Sequence, residues 1–233
     1  MKSIIVKFVA TMALFATAPI FIAFGQQQIT GKVESTSYNK APMDIVLFMF
    51  GMDDPVKVGN VDNNGNISLS FPSELPGNIP SDIKEMFLVS LTDAFHFSCL
   101  DRSIFSDDVL QATAYRGGYL SLSTVDEPWV GGLLPVSDTL LTEWLEDPHY
   151  NSPIISSFYE VVYSNQDINF TTICKADISH AEKQVPVEYH YSLQLKQGFN
   201  VIEYKIESIF SNVSEEYPSV PSVVTITNLG DSG

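Results

Sequence analysis

Val185-Pro186-Val187-Glu188-Tyr189-His190-Tyr191-Ser192-Leu193-Gln194-Leu195 puts Val187, Tyr189, Tyr191, Leu193 and Leu195 at every second position, with Glu188, His190, Ser192 and Gln194 between them. Side chains along a β-strand point alternately to opposite faces, so this run reads as a strand with one dry and one wet face. Lys196-Gln197-Gly198 breaks the alternation, and Ile202, Tyr204 and Ile206 resume it against Glu203, Lys205 and Glu207. A three-residue connection ending in glycine suits a hairpin whose last loop residue takes positive φ. Residues 185–207 are therefore expected to form a long antiparallel hairpin with a core face that other strands must cover.

Working outward, the same grammar recurs. Residues 158–163 and 168–174 flank Ser164-Asn165-Gln166-Asp167, 109–115 and 119–125 flank Arg116-Gly117-Gly118, and 56–61 and 67–71 flank Asp62-Asn63-Asn64-Gly65. Each is predicted to be a hairpin. Ile45-Val46-Leu47-Phe48-Met49-Phe50 is continuously apolar, as in a strand buried on both faces. Residues 28–34 read as a first strand. Residues 220–227 read as a last one, placed at an edge because Pro221 cannot donate to a ladder. Residues 86–91 are predicted as strand and 127–135 as loop. Residues 72–85, rich in Pro, Gly, Ser and Asn, read as a long loop or linker, with Asp82 and Glu85 spaced as a capping box. Leu140, Leu141, Trp144 and Leu145 after Asp138 suggest a two-turn helix. The expected fold is all-β, an antiparallel sandwich or partly open barrel with one short helix.

Lys2 and Lys7, an apolar run over 8–24 and the small-residue exit Ala23-Phe24-Gly25 have the layout of an export leader, residues 1–25. Pro19 and the lack of basic residues just beyond the run favour cleavage over a permanent anchor. The remaining 208 residues (26–233) are expected to be a single exported domain, with 72–85 as the place where it would divide. The leader carries two lysines and no acid, so its loss takes the net charge from −16 to −18. Such a surface repels phosphate backbones and anionic lipid, which argues against nucleic-acid partners. No later apolar run approaches a spanning length.

Cys99 and Cys174 are the only cysteines. Outside the cytoplasm they are a candidate disulfide; the alternative is two buried packing thiols. His96, His149, His180 and His190 are scattered, without the pairing a zinc site needs, so neither metal nor cofactor is expected. No Gly-x-Ser-x-Gly elbow or nucleotide loop occurs. Asp53-Asp54, Asp107-Asp108 and Glu215-Glu216 supply carboxylates, but whether any two face each other across a cleft is invisible in sequence. Asp62-x-Asn64-x-Asn66 lacks the glycine and final glutamate of a calcium loop. Asn66-Ile67-Ser68, Asn169-Phe170-Thr171 and Asn212-Val213-Ser214 match glycosylation sequons, relevant only in a eukaryotic secretory host.

Gly31-x-Val33, Ala41-Pro42, Val46 and Asp62-x-x-Gly65-x-Ile67-x-Leu69-x-x-Pro72 resemble the opening of carboxypeptidase-regulatory-like (transthyretin-like) β-sandwich domains. That resemblance implies an accessory, non-catalytic sandwich. With 158–163 and Leu195-Lys196-Gln197-Gly198-Phe199-Asn200-Val201, the chain is also similar to uncharacterised exported bacterial β-sandwich proteins, a likeness that brings no activity with it. The expected function is a non-catalytic exported protein, secreted or periplasmic, that binds a protein or glycan or supports a cell-envelope assembly. The alternative is a carboxylate-dependent hydrolase such as a glycosidase.

Overall fold

Most of the runs read as strands become strands, and a single hydrogen-bonded sheet collects them; 109–111, read as the start of a strand, ends a helix instead. The computed structural model describes residues 4–7, 29–34, 41–49, 55–75, 77, 79–181, 183–211 and 217–229. The N-terminal part carries β1 (Ile4–Lys7), β2 (Ile29–Glu34), β3 (Met43–Phe48), β4 (Val56–Val61) and β5 (Asn66–Leu69). A mixed stretch follows, with α1 (Ser81–Phe87), β6 (Val89–Ser90), α2 (Leu91–Ala94), α3 (Asp107–Gln111), β7 (Thr113–Arg116), β8 (Tyr119–Ser123), β9 (Gly131–Val136) and α4 (Thr142–Glu146). The long strands come last: β10 (Ser157–Ser164), β11 (Ile168–His180), β12 (Lys183–Leu195), β13 (Gly198–Phe210) and β14 (Val220–Asn228). The order is β1-β2-β5-β4-β3-β8-β9-β10-β13-β14-β12-β11, with β7 on β10 and β6 on β7. The fold is all-β, but the sheet is mixed: β1–β9 and β12–β14 are parallel pairs.

The strand at 185–195 is where it was expected; its partner is not. β12 and β13 do not pair with each other, because β14 lies between them, parallel to β12 and antiparallel to β13. The register explains why. Tyr191, Ile226 and Tyr204 form one cross-strand row, and Tyr189, Val224 and Ile206 the next. Val224 and Ile226 are fully buried, so β14 completes the dry face that two splayed strands would leave open. Near the shared turn, Asn228 Oδ1 accepts from the Gln194 amide (2.7 Å) and the Leu229 amide donates to the Val201 carbonyl (2.8 Å). The turn itself is held by side chains. Asn200 bonds both the Lys196 amide and its carbonyl, and Gly198 takes φ 109° as the sequence suggested.

The true long hairpin is β11–β12, in unbroken register from Ile168↔Leu195 to His180↔Lys183. It turns at Ala181, whose φ is 49°. The polar residues 177–180 and 183–184 thus belong to strands. β14 is correspondingly an interior strand rather than an edge. Pro221 is tolerated because the β12 ladder begins only at Val223, and on the β13 side it lies beyond a register shift near Ser208.

Two further expected hairpins dissolve the same way. β10 pairs with β13, β7 and β9, and among the described residues β11 pairs only with β12, so 158–163 and 168–174 are not partners. β7 pairs with β10 and β6, whereas β8 pairs with β3 and β9. Gly117-Gly118 is thus a corner at which the chain changes neighbours. Gly118 has φ 82° and would drive a Cβ into the Phe48 carbonyl, so only glycine fits. The Asp62–Gly65 hairpin stands, with β4 on β5 and Gly65 at φ 80°. Its Asp62 carboxylate accepts from Asn66 and Asn64, which holds it below the usual carboxylate range and accounts for the calcium-like spacing.

Helix is more frequent than expected. Residues 138–146 form a short 3₁₀ turn capped by Asp138 and then α4, with Leu141 and Trp144 buried but Leu140 turned outward. Residues 86–87 end a helix rather than begin a strand, α1 starts after Pro80 without the side-chain cap expected of Asp82, and 131–136, expected as loop, is β9. β1 falls inside the stretch read as an export leader, pairing with β2 on one side and β9 on the other. The remainder of that stretch, 1–3 and 8–25, lies outside the described residues.

Two cores flank the sheet, and one of them spans the 72–85 break. One gathers Ile45, Leu47, Val58, Ile67, Leu120 and Leu122 with Val161 and Tyr163 from far downstream. The other gathers Leu91, Phe95, Leu141, Leu193, Tyr204 and Ile226 with Phe158 and Val162. Alternate residues of β10 serve opposite cores, so β10 is buried on both faces.

Burial of phenols has a measurable consequence. Tyr191 and Tyr189 are pushed above the ordinary tyrosine range by burial, and Tyr159 by burial and then by Glu203. Tyr204, fully buried, is raised by burial first and the charge of Glu160 second. Unfolded phenols ionise near pH 10 while these keep their protons in the fold, so their stabilisation is intact below about pH 10 and is lost above it. Alkaline titration should show a step of phenolate absorbance coincident with loss of the near-ultraviolet circular dichroism. Full tyrosine ionisation with the fold intact would contradict this.

Candidate functional site

The residues with the clearest capacity to hold a ligand lie under α1. Ile79, Ile83, Met86 and Phe87 recur at helical spacing, which gives this short helix one apolar side. None of its residues is buried, and Met86 is 70% exposed. The helix therefore roofs the sheet without filling the space beneath. A cavity of about 390 Å³ results, walled on the sheet side by Met49, Val89 and Tyr115 and on the other by Leu75 and the apolar side of α1. That size is within the range of small-molecule sites. Apart from the Tyr115 hydroxyl, its polar side-chain groups are the charges of Lys84 and Arg116. Arg116 is placed by the glycine corner that follows it and anchored by donation from Nη2 to the Asp93 carbonyl (2.9 Å).

Asp93 is itself well tied. Ser90 Oγ donates to it (2.6 Å) and Arg102 Nη2 reaches both its oxygens at 2.8 Å. The Ser90 bond, with Arg102 and Arg116 adding to it, holds its carboxyl below the usual range.

Arg116 also lines a second cleft, of about 370 Å³, on the far side of the corner. His96 Nδ1 lies 3.0 Å from Glu160 Oε1 there, and both side chains are a little over one third exposed. The imidazole sits among aromatic rings, with Phe97 and Phe158 edge-on at 4.9 Å and Tyr204 and Trp144 at 5.8 and 6.2 Å. Its backbone N–H donates to the Tyr204 hydroxyl (3.0 Å). Among the described residues the cleft lining contains no serine, threonine or cysteine to pair with this histidine, and Glu160 is its one acid. Nucleophilic catalysis needs the former and glycoside hydrolysis a second carboxyl.

Of the residues singled out by sequence, Cys99 and Cys174 are joined in a disulfide, with Cα atoms 5.9 Å apart. The four histidines stay separate. His180 bonds the Pro218 carbonyl (2.8 Å), His190 meets Glu188 (3.2 Å), and His149 is exposed. Among the described residues no three His, Cys, Asp or Glu side chains converge on a metal-sized site. Asp107 and Asp108 occupy the first turn of α3; Asp53-Asp54 and Glu215-Glu216 lie outside the described residues. Neither Arg116 nor the roof over 79–87 was found by reading the sequence. The signal was present in the spacing of Ile79, Ile83, Met86 and Phe87, but a Pro- and Gly-rich context masked it. Among the described residues, no helix is long and apolar enough to cross a membrane. Compared with known proteins, the chain matches no family model, no curated protein and no solved structure.

Proposed function

We propose that this is an exported, non-catalytic binding protein of the bacterial cell envelope or its surroundings, and that the cavity under α1 is its binding site. The observation that carries the reading is an apolar space of about 390 Å³ beneath a helix with no buried residue. An apolar lining suits an acyl chain or the apolar side chains of a partner better than a glycan, which needs polar contacts along its length. The disulfide supports an oxidising compartment, in keeping with the leader-like N-terminus. The hydrolase alternative finds less support, since among the described residues the cleft around Glu160 offers one carboxylate and no hydroxyl or thiol nucleophile of the serine, threonine or cysteine kind.

Titration with neutral N-phenyl-1-naphthylamine tests the site. The protein should take up about one equivalent with enhanced fluorescence. Ile83→Trp should fill the cavity and weaken uptake by at least about tenfold, while the melting temperature moves little because no residue of α1 is fully buried. Unchanged uptake in that variant would place the probe elsewhere and refute the site.

A further inference from the structure

We infer that the ligand of the α1 cavity is an aliphatic chain ending in an anionic head, a carboxylate or a phosphate, with the head held by Lys84 and Arg116. The inference rests on the cavity being the binding site and adds the class of molecule it takes.

Three observations point the same way. The walls are apolar on both sides, which suits a chain and wastes nothing on a polar body. The volume admits roughly a dozen groups of water size at about 30 Å³ each, the bulk of a ten-carbon chain and its head. The charges decide the head. The whole chain has 28 acids against 12 Lys and Arg, yet among the described residues the cavity lining has two cations and no acid. A random draw from this surface would favour acids. Lys84, half-buried, and Arg116, exposed, both line the cavity. The Arg116 bond to the Asp93 carbonyl uses one of five guanidinium N–H donors, so the fork that fits a carboxylate or phosphate is already oriented. Glu85 adds a negative charge felt at the Tyr115 hydroxyl but does not line the cavity.

The test displaces bound N-phenyl-1-naphthylamine from the full exported protein at neutral pH, using decanoate, decyl phosphate and decanol below their micellar concentrations. At least one anion should displace the probe at a concentration about tenfold or more below that of decanol, with the gap narrowing as salt screens the pair. Whichever anion is stronger names the head. Lys84→Met should weaken the anion several-fold and leave decanol unchanged. Equal displacement by decanol and both anions, or an anion preference that survives Lys84→Met undiminished, would overturn the inference. If the probe binds and none of the three displaces it, the inference falls while the cavity stands as a site; if the probe does not bind, both fall.

Discussion

Tyr204→Ala is expected to destabilise the protein by about 3–5 kcal/mol, the cost of removing a large aromatic side chain from a filled core. Tyr204 is fully buried and stacks on Phe158 with ring centroids 4.8 Å apart. It also ends the Tyr191–Ile226–Tyr204 row that joins β12, β14 and β13. Tyr204→Phe separates packing from hydrogen bonding. It keeps the stack and removes the hydroxyl, which accepts from the His96 amide and also meets the Glu160 carboxylate, so about 1–2 kcal/mol should be lost. Denaturant midpoints of the two variants check this, and equal losses would mean that the hydroxyl, not the ring, holds the core. Leu193→Ala should cost about 2–5 kcal/mol by the same cavity argument. His190→Ala, on the half-exposed face of the same strand, should cost far less.

Cys99→Ser with Cys174→Ser, or simple reduction, has the next largest expected effect. The bond closes a loop of 75 residues between the segment after α2 and the edge strand β11. The chain-entropy model puts its contribution at about 4 kcal/mol. Both cysteines are buried, at 5% and 0% exposure, so reducing agent reaches the bond only when this edge opens. The rest of that core, including Phe95, Tyr191 and Leu195, does not depend on the bond. A lower melting temperature with a folded protein at room temperature is therefore the expected result of reduction in mild denaturant. Thiol counting on denatured, unreduced protein gives the direct check: two free thiols per chain would remove the bond and the stabilisation with it.

How legible was this molecule in its sequence? Strands were readable wherever one face stays wet, because alternation records burial locally. Val187 to Leu195 shows this, as do the positive-φ glycines at 65 and 198. Helices in short mixed segments were not. Ile83, Met86 and Phe87 sit between Pro80 and a two-residue strand, where seven residues give too few turns for a period to stand out. The candidate site suffered most. Its two cations come from residues 84 and 116, brought together only by the α1 roof and the Gly117-Gly118 corner.

By itself the sequence determined the all-β class, the positions of the long strands, the Asn-Gly hairpin and the residues available for a disulfide. Tertiary structure alone decided who pairs with whom. A short turn brings two strand ends close, but it does not oblige the strands to share hydrogen bonds. β12 and β13 leave a common turn and still accept β14 between them, because Val224 and Ile226 bury more there than at an edge. β7 and β8 part at Gly117 because each finds a longer ladder elsewhere, on β10 and on β3. Pairing is settled by the apolar area a whole sheet can bury, a sum over residues far apart in the chain that no local pattern contains.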